Sequence, residues 1–174
     1  YLDGARMASA LASKYNDIAI ADYSKLVDLL YLGGTKCGAL FGEALVIFKR
    51  EFNEDIRFSI KQKGAMLAKG WLLGIQFEAL FEGDLYQKTG EHANAMAEKI
   101  KNAIEQKGYS FQFTPCSNQL FVILPDAVLQ KLEKEFLFTE WEKIDENHTS
   151  IRIVTSWATK EENVQKLIEA VQQA

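Results

Sequence analysis

Apolar residues along this chain change their spacing several times, and each change marks an element. Residues 26–32 form an apolar run with few polar interruptions, and residues 43–48 form a second. Both have the pattern of strands buried on two faces. Residues 1–6 read as the end of an earlier strand followed by a glycine turn, and residues 7–15 as a helix of small and apolar residues. Residues 17–22 read as a loop, with Ser24 as a cap. Further on, Met66, Leu67, Leu73, Phe77, Leu80 and Phe81 recur at three- and four-residue steps, which predicts a helix. After an interruption at Gly83 and Asp84, Ala93, Met96, Ala97, Ile100 and Ile104 carry a second helical stripe. It stops at Gly108, where glycine is the usual terminator.

The period then shortens. Residues 109–114, 119–124, 138–144 and 150–155 read as strands. A helix opened by Pro125 and Asp126 places Val128, Leu129, Leu132 and Phe136 on one face. A last helix carries Val164, Leu167, Ile168 and Val171, and Thr159 with Glu162 fits a capping box at its start. The fold class is α/β. Residues 1–56 carry the parallel-sheet character of a larger α/β domain, residues 57–86 are connecting helices, and residues 87–174 form a smaller α+β domain with a mostly antiparallel sheet.

Composition narrows the classes. The net charge of -4 over 174 residues gives no basic footprint, so nucleic acid is not expected as a partner. No apolar run approaches membrane-spanning length. Two cysteines, Cys37 and Cys116, are too few for a disulfide framework and point to a reducing compartment, by default the cytoplasm. The chain opens on Tyr1-Leu2-Asp3, inside what reads as a strand, and is expected to be a fragment of a longer polypeptide.

Three side chains carry candidate chemistry. Asp3 lies at the carboxyl end of the first strand, where α/β sheets bind ligands. Arg6 follows on the same turn. Lys36 sits in Gly33-Gly34-Thr35-Lys36, at the exit of the next apolar strand. A lysine and an aspartate at one sheet edge suit pyridoxal phosphate (PLP): the amine attaches the cofactor, and the carboxylate keeps its pyridine nitrogen protonated. An arginine beside them suits the carboxylate of an amino-acid substrate.

Tyr-Leu-Asp-Gly-Ala-Arg at 1–6 with Met-Ala-Ser-Ala-Leu at 7–11 resembles a segment of the low-specificity L-threonine aldolases, within the β-eliminating lyase group of fold-type I PLP-dependent enzymes. The resemblance continues through Gly33-Gly34-Thr35-Lys36 and Gly42-Glu43-Ala44-Leu45. It then covers residues 60–64 and 68–70 and ends with Ile-Arg-Ile-Val-Thr-Ser-Trp at 151–157. It implies the C-terminal part of a PLP-dependent transferase-like large domain followed by the small C-terminal domain. It implies Lys36 as the catalytic, cofactor-bearing lysine, Asp3 as the pyridine-nitrogen partner, and Arg6 beside both cofactor and substrate carboxylate. Arg152 becomes the second carboxylate-binding residue, and Thr35 a cofactor contact. Alternation along the last strand agrees for Arg152, since Ile151 and Ile153 point away from it.

The activity so implied is cleavage of a β-hydroxy-α-amino acid, such as L-threonine or L-allo-threonine, to glycine and an aldehyde. β-Elimination or transamination is the alternative on the same cofactor, and a non-catalytic interaction fragment is the alternative of another class. A homodimer or homotetramer is expected of the full-length protein. Ser156 stands where many relatives have histidine, and Thr35 where others have serine. The phosphate loop, the ring-stacking histidine and the catalytic base are expected in the N-terminal half of the same polypeptide, so the isolated fragment is expected to be inactive. Lys61, Lys63 and Lys69 form a mild basic cluster that reads as a solvated face or as a contact to a neighbouring subunit's cofactor phosphate. His92 and His148 read as surface residues without metal-ligand spacing. Cys37 reads as a small packing residue, and Trp71 and Trp157 as core or interface aromatics.

Overall fold

Strand β1 (Leu2–Gly4) lies parallel to β2 (Leu29–Leu32), with Asp3 opposite Tyr31 and Gly4 opposite Leu32. Strand β3 (Ala44–Ile47) pairs with β2 in the antiparallel sense, giving the order β1-β2-β3. Leu30 and Leu32 point to one face and are buried with Met7, Ala8, Cys37, Ala39, Leu80 and Tyr86. Tyr31 and its partner Leu45 point to the other, where Leu45 is exposed. The expectation of two strands buried on both faces therefore fails at β3. Its apolar residues face a core on one side only, and its direction departs from an all-parallel sheet.

The structure is a computed structural model describing residues 1–174, and they fall into two units. One comprises Tyr1–Ala12 and Asn16–Gly90, the other Ser13–Tyr15 and Glu91–Ala174. The first holds the three-stranded sheet with helices α1 (Met7–Leu11), α2 (Tyr23–Leu26), α3 (Ile56–Gln62) and α4 (Trp71–Phe81). Helix α1 ends sooner than the composition of residues 7–15 predicts. Ser24 does not cap α2; its hydroxyl donates to Ala21 O at 2.7 Å. Helix α4 has apolar residues all round, yet only Leu80 is buried and Trp71 stands 63% exposed. Trp71 is thus not a core residue of this chain. Gly83, at φ 59°, separates α4 from α5 (Leu85–Gln106) at the predicted interruption.

Helix α5 ends as its sequence dictates. Gly108 takes φ 79°, its N–H donates to Glu105 O at 2.9 Å, and Tyr109 N–H donates to Ile104 O at 3.1 Å, which satisfies carbonyls the helix leaves open. The second unit's sheet is antiparallel, in the order β4 (Ser110–Phe111), β5 (Gln119–Pro125), β7 (His148–Val154) and β6 (Thr139–Lys143). Between these strands come α6 (Asp126–Leu132) and, last, α7 (Glu161–Gln173). Leu120, Val122 and Leu124 of β5 and Ile151 of β7 bury against Ile100 and Ile104, Leu129 and Leu132, and Val164, Leu167 and Val171. Full burial of each such side chain contributes about 1.5–3 kcal/mol. Edge strand β6 is exposed along its length and bulges between Glu140 and Glu142.

The predicted capping box at α7 does not form. Lys160 is the N-cap, and the Thr159 hydroxyl accepts instead from Ser156 N–H at 2.8 Å, closing a local turn. Glu161 pairs with Lys99, whose ammonium holds its carboxyl below the usual range.

Candidate functional site

Because β1 and β2 are parallel neighbours, both chains leave the sheet at the same edge. The two turns that follow are in contact. Gly33 N–H donates to Gly4 O at 3.0 Å, and the Cys37 thiol lies 3.7 Å from Ala5 O. A Cβ on Gly33 would run into the Ala5 carbonyl, so only glycine permits this approach. Asp3 in β1 and Arg6 just after it are thereby carried next to the turn that bears Thr35 and Lys36, all in the first unit. Asp3 is exposed, and its carboxylate accepts from Ala5 N–H at 3.0 Å. Arg6 is half-buried at the start of α1, where its carbonyl accepts from Ala10 N–H at 3.1 Å.

Lys36 is exposed at the centre of a 3-10 turn over Thr35–Cys37. Cys37 N–H and Ala39 N–H both donate to Gly34 O, at 2.8 and 2.9 Å, and Gly38 closes the turn at φ 113°. Three further side chains hold its backbone. Tyr86 donates its hydroxyl to Gly33 O at 2.8 Å. The Thr89 hydroxyl lies 3.1 Å from Cys37 O and 2.7 Å from Tyr86 O. The Glu43 carboxylate accepts from Gly34 N–H and, at 3.4 Å, from Thr35 N–H. The Thr35 hydroxyl donates to Gly42 O at 3.3 Å, so its proton is already committed to the chain.

Burial, then Glu43, then Asp3, push the Tyr31 phenol above its ordinary pKa. Burial also raises Tyr86, which stacks on Phe81 at 4.9 Å. Burial raises the Cys37 thiol as well, so the residue beside Lys36 is a protonated packing group, in line with its sequence reading.

Arg152 lies in the second unit, on β7, with Phe121 and Thr139 as its cross-strand partners. Its guanidinium sits 5.7 Å from the Trp141 ring centroid, and that ring packs edge-on to Phe121 at 4.9 Å. Its buried Nε has no hydrogen-bond partner. The guanidinium is thus within the range of a cation–π contact with the indole. Lys61, Lys63 and Lys69 are exposed in and after α3. His92 is exposed, with Nε2 2.8 Å from Thr159 O. The His148 side chain keeps 42% of its surface exposed and lies 2.9 Å from Asp145.

Tyr31, Glu43, Tyr86, Thr89 and Trp141 escaped the sequence reading. Glu43 carried a readable signal, as a lone acid between Gly42 and an apolar strand. Tyr86, Thr89 and Trp141 act through contacts distant in sequence and had none.

No family profile matches the chain. The low specificity L-threonine aldolase of Pseudomonas aeruginosa is 29% identical over 169 residues, which cover 96% of this chain and 48% of that protein. The same-named enzyme of a Pseudomonas sp. is 28% identical over a like span. This chain thus spans about half the length of the curated relatives it matches. The structure of Leishmania major threonine aldolase superposes with a TM-score of 0.95 at 42% identity, over 99% of this chain and 50% of that one. Sphingomonas wittichii serine palmitoyltransferase superposes at 0.61 with 16% identity, over 84% of this chain and 39% of that one, which speaks to fold alone. The architecture is that of the C-terminal part of a fold-type I PLP-dependent enzyme. Within that class, the chain resembles the C-terminal half of the low-specificity L-threonine aldolases.

Proposed function

We propose that this chain supplies the lysine-bearing half of a PLP-dependent aldehyde-lyase that cleaves a β-hydroxy-α-amino acid, L-threonine or L-allo-threonine, to glycine and acetaldehyde. The contact between the two turns carries this reading: Gly33 N–H on Gly4 O sets the carboxylate turn beside the lysine turn. The donor set fits the cofactor, with an exposed amine on the Thr35–Cys37 turn, an exposed carboxylate at the end of β1 and a half-buried arginine just after it. In this reading Lys36 holds the cofactor through its amine, with Asp3, Arg6 and Thr35 around it. PLP, when bound, supplies a ring that accepts the electrons released as the bond between Cα and Cβ breaks.

Asp3 holds a proton at the ring nitrogen, a task that suits a carboxylate already oriented by Ala5 N–H. Arg6 would bind the substrate carboxylate, fixing which bond at Cα is presented for cleavage. A carboxylate-binding role is proposed separately for Arg152 of the second unit, on the strength of its unpartnered Nε. Thr35 would contact the cofactor phosphate through its hydroxyl. A cytoplasmic setting belongs to the same reading, supported by the free thiols Cys37 and Cys116. So does assembly as a dimer or tetramer, supported by the exposed apolar residues of α3 and α4.

Acetaldehyde release from L-threonine by the full-length protein tests the proposal. Lys36→Ala is expected to lower the rate by about a thousandfold, within the range for loss of an acid–base group. Pyruvate or ammonia from serine, with no acetaldehyde from either threonine isomer, would reassign the reaction to β-elimination.

A further inference from the structure

We propose that Glu43 is a positioning residue for Lys36: its carboxylate clamps the two backbone N–H groups ahead of the lysine and fixes the turn that displays the amine. The part this plays in cofactor attachment rests on the reading of Lys36 given above. The clamp itself rests on the geometry of the turn.

A short 3-10 turn leaves its first amides without partners inside the turn. Here the amides of Gly34 and Thr35 are both satisfied by one side chain, through Glu43 Oε2 and Oε1 respectively. The turn's other end closes on itself through Gly34 O, which accepts from Cys37 and Ala39. Glu43 can reach the amides because Gly34 and Gly42 pass so closely that a Cβ on Gly34 would strike Gly42 O. Gly42 adds φ 85°, a left-handed conformation that L side chains rarely adopt, and the Thr35 hydroxyl bonds its carbonyl. Strand β3 begins at Ala44, directly after Glu43, so the carboxylate is tied to the sheet and not to a free loop. Half-buried and bonded to two amides, it makes charge-assisted hydrogen bonds that water competes for poorly. Its charge is also felt at Tyr31, Cys37 and Tyr86, all of which it raises. Lys36 is therefore displayed by a turn whose approach and exit are both fixed.

Amide hydrogen exchange on the full-length protein separates this role from general stability. Glu43→Ala is expected to speed exchange at Gly34 and Thr35 about tenfold or more, as for lost bonds to a charged acceptor, with Leu30 and Leu32 of β2 unchanged. Glu43→Gln keeps one acceptor and should spare one of the two amides. Glu43→Asp keeps the charge but lacks the reach, and should lose protection at both. Wild-type exchange at Gly34 and Thr35 in Glu43→Ala, or full protection in Glu43→Asp, would overturn the clamp. Borohydride trapping with added PLP then reads presentation of the amine, as label on Lys36 relative to the exposed Lys134. Wild type should favour Lys36, and Glu43→Ala should lose that preference at a temperature where both proteins are fully folded. Equal preference in the two proteins would overturn the positioning role even with the clamp intact. No preference in wild type would sink the cofactor reading of Lys36, leaving the exchange data to judge the clamp.

Discussion

The two units treat their apolar residues in opposite ways. In the second, one face of a four-stranded antiparallel sheet is covered by helices, and Ile104 of α5 is wholly buried with Val122 and Ile151 of the sheet. In the first, a three-stranded sheet buries Leu30 and Leu32 but leaves Leu45 exposed, and Phe58, Leu67, Trp71 and Ile75 stand in solvent. The candidate lysine belongs to the unit with the smaller enclosed core. Besides the burial of Cys37 and Ala39, its turn is held by a few hydrogen bonds between backbone atoms and the side chains of Glu43, Tyr86 and Thr89. A packed core tolerates volume-conserving exchange among hydrophobic residues. A turn held by individual bonds depends on each of them.

Three perturbations would break or sharpen this contrast. Ile104→Ala removes a side chain with no exposed surface from the larger core. It should lower unfolding free energy by about 2–5 kcal/mol, the range for buried truncations, in denaturant titrations of the full-length protein. A loss no greater than that of a surface substitution would mean that the second unit is not closed as described.

The next effect is smaller and depends on pH. The Lys143 ammonium and the Thr149 hydroxyl hold the Asp126 carboxyl below its usual range. A depressed folded pKa stabilises the fold above the unfolded value, near about 4, and that contribution is lost as pH falls through the lower folded value. Asp126→Asn should therefore lower the melting temperature at neutral pH and flatten its decline below about pH 4. Parallel melting curves for variant and wild type across that window would remove this pair from the account.

The smallest change is expected from Phe58→Ser. This side chain is 74% exposed, so in the isolated chain the substitution should move stability by no more than about 0.5 kcal/mol. If the full-length protein loses much more, or dissociates on sizing, the exposed face of α3 is covered in that protein, and the contrast between the units is confined to this chain.

The sequence disclosed what depended on period and on local stereochemistry. The α5 stripe ending at Gly108, the break at Gly83, and the alternation of β5 and β7 around Arg152 were all legible, because each follows from neighbours a few residues apart. The partial exposure of β3 and of Trp71 was not, because an apolar run reads the same whether or not something lies against it. The capping box at Thr159 failed for a related reason: the same hydroxyl had a closer donor in Ser156 N–H. For the candidate site, Asp3, Arg6 and Lys36 were legible as residue types at strand ends. Tyr86 and Thr89 lie about 50 positions downstream of the atoms they hold, and only the fold reveals them.

The bulged outer strand β6 has a consequence for solution behaviour. A sheet edge with free backbone groups invites another chain to add to it, and polymers grow that way. If two copies met antiparallel about Trp141, Glu140 of each would face Glu142 of the other, and like charges directly opposite repel. The bulge further spoils the straight hydrogen-bonding register such an addition requires. The second unit thus resists runaway stacking at this border, and concentrated samples should form no fibrils through it.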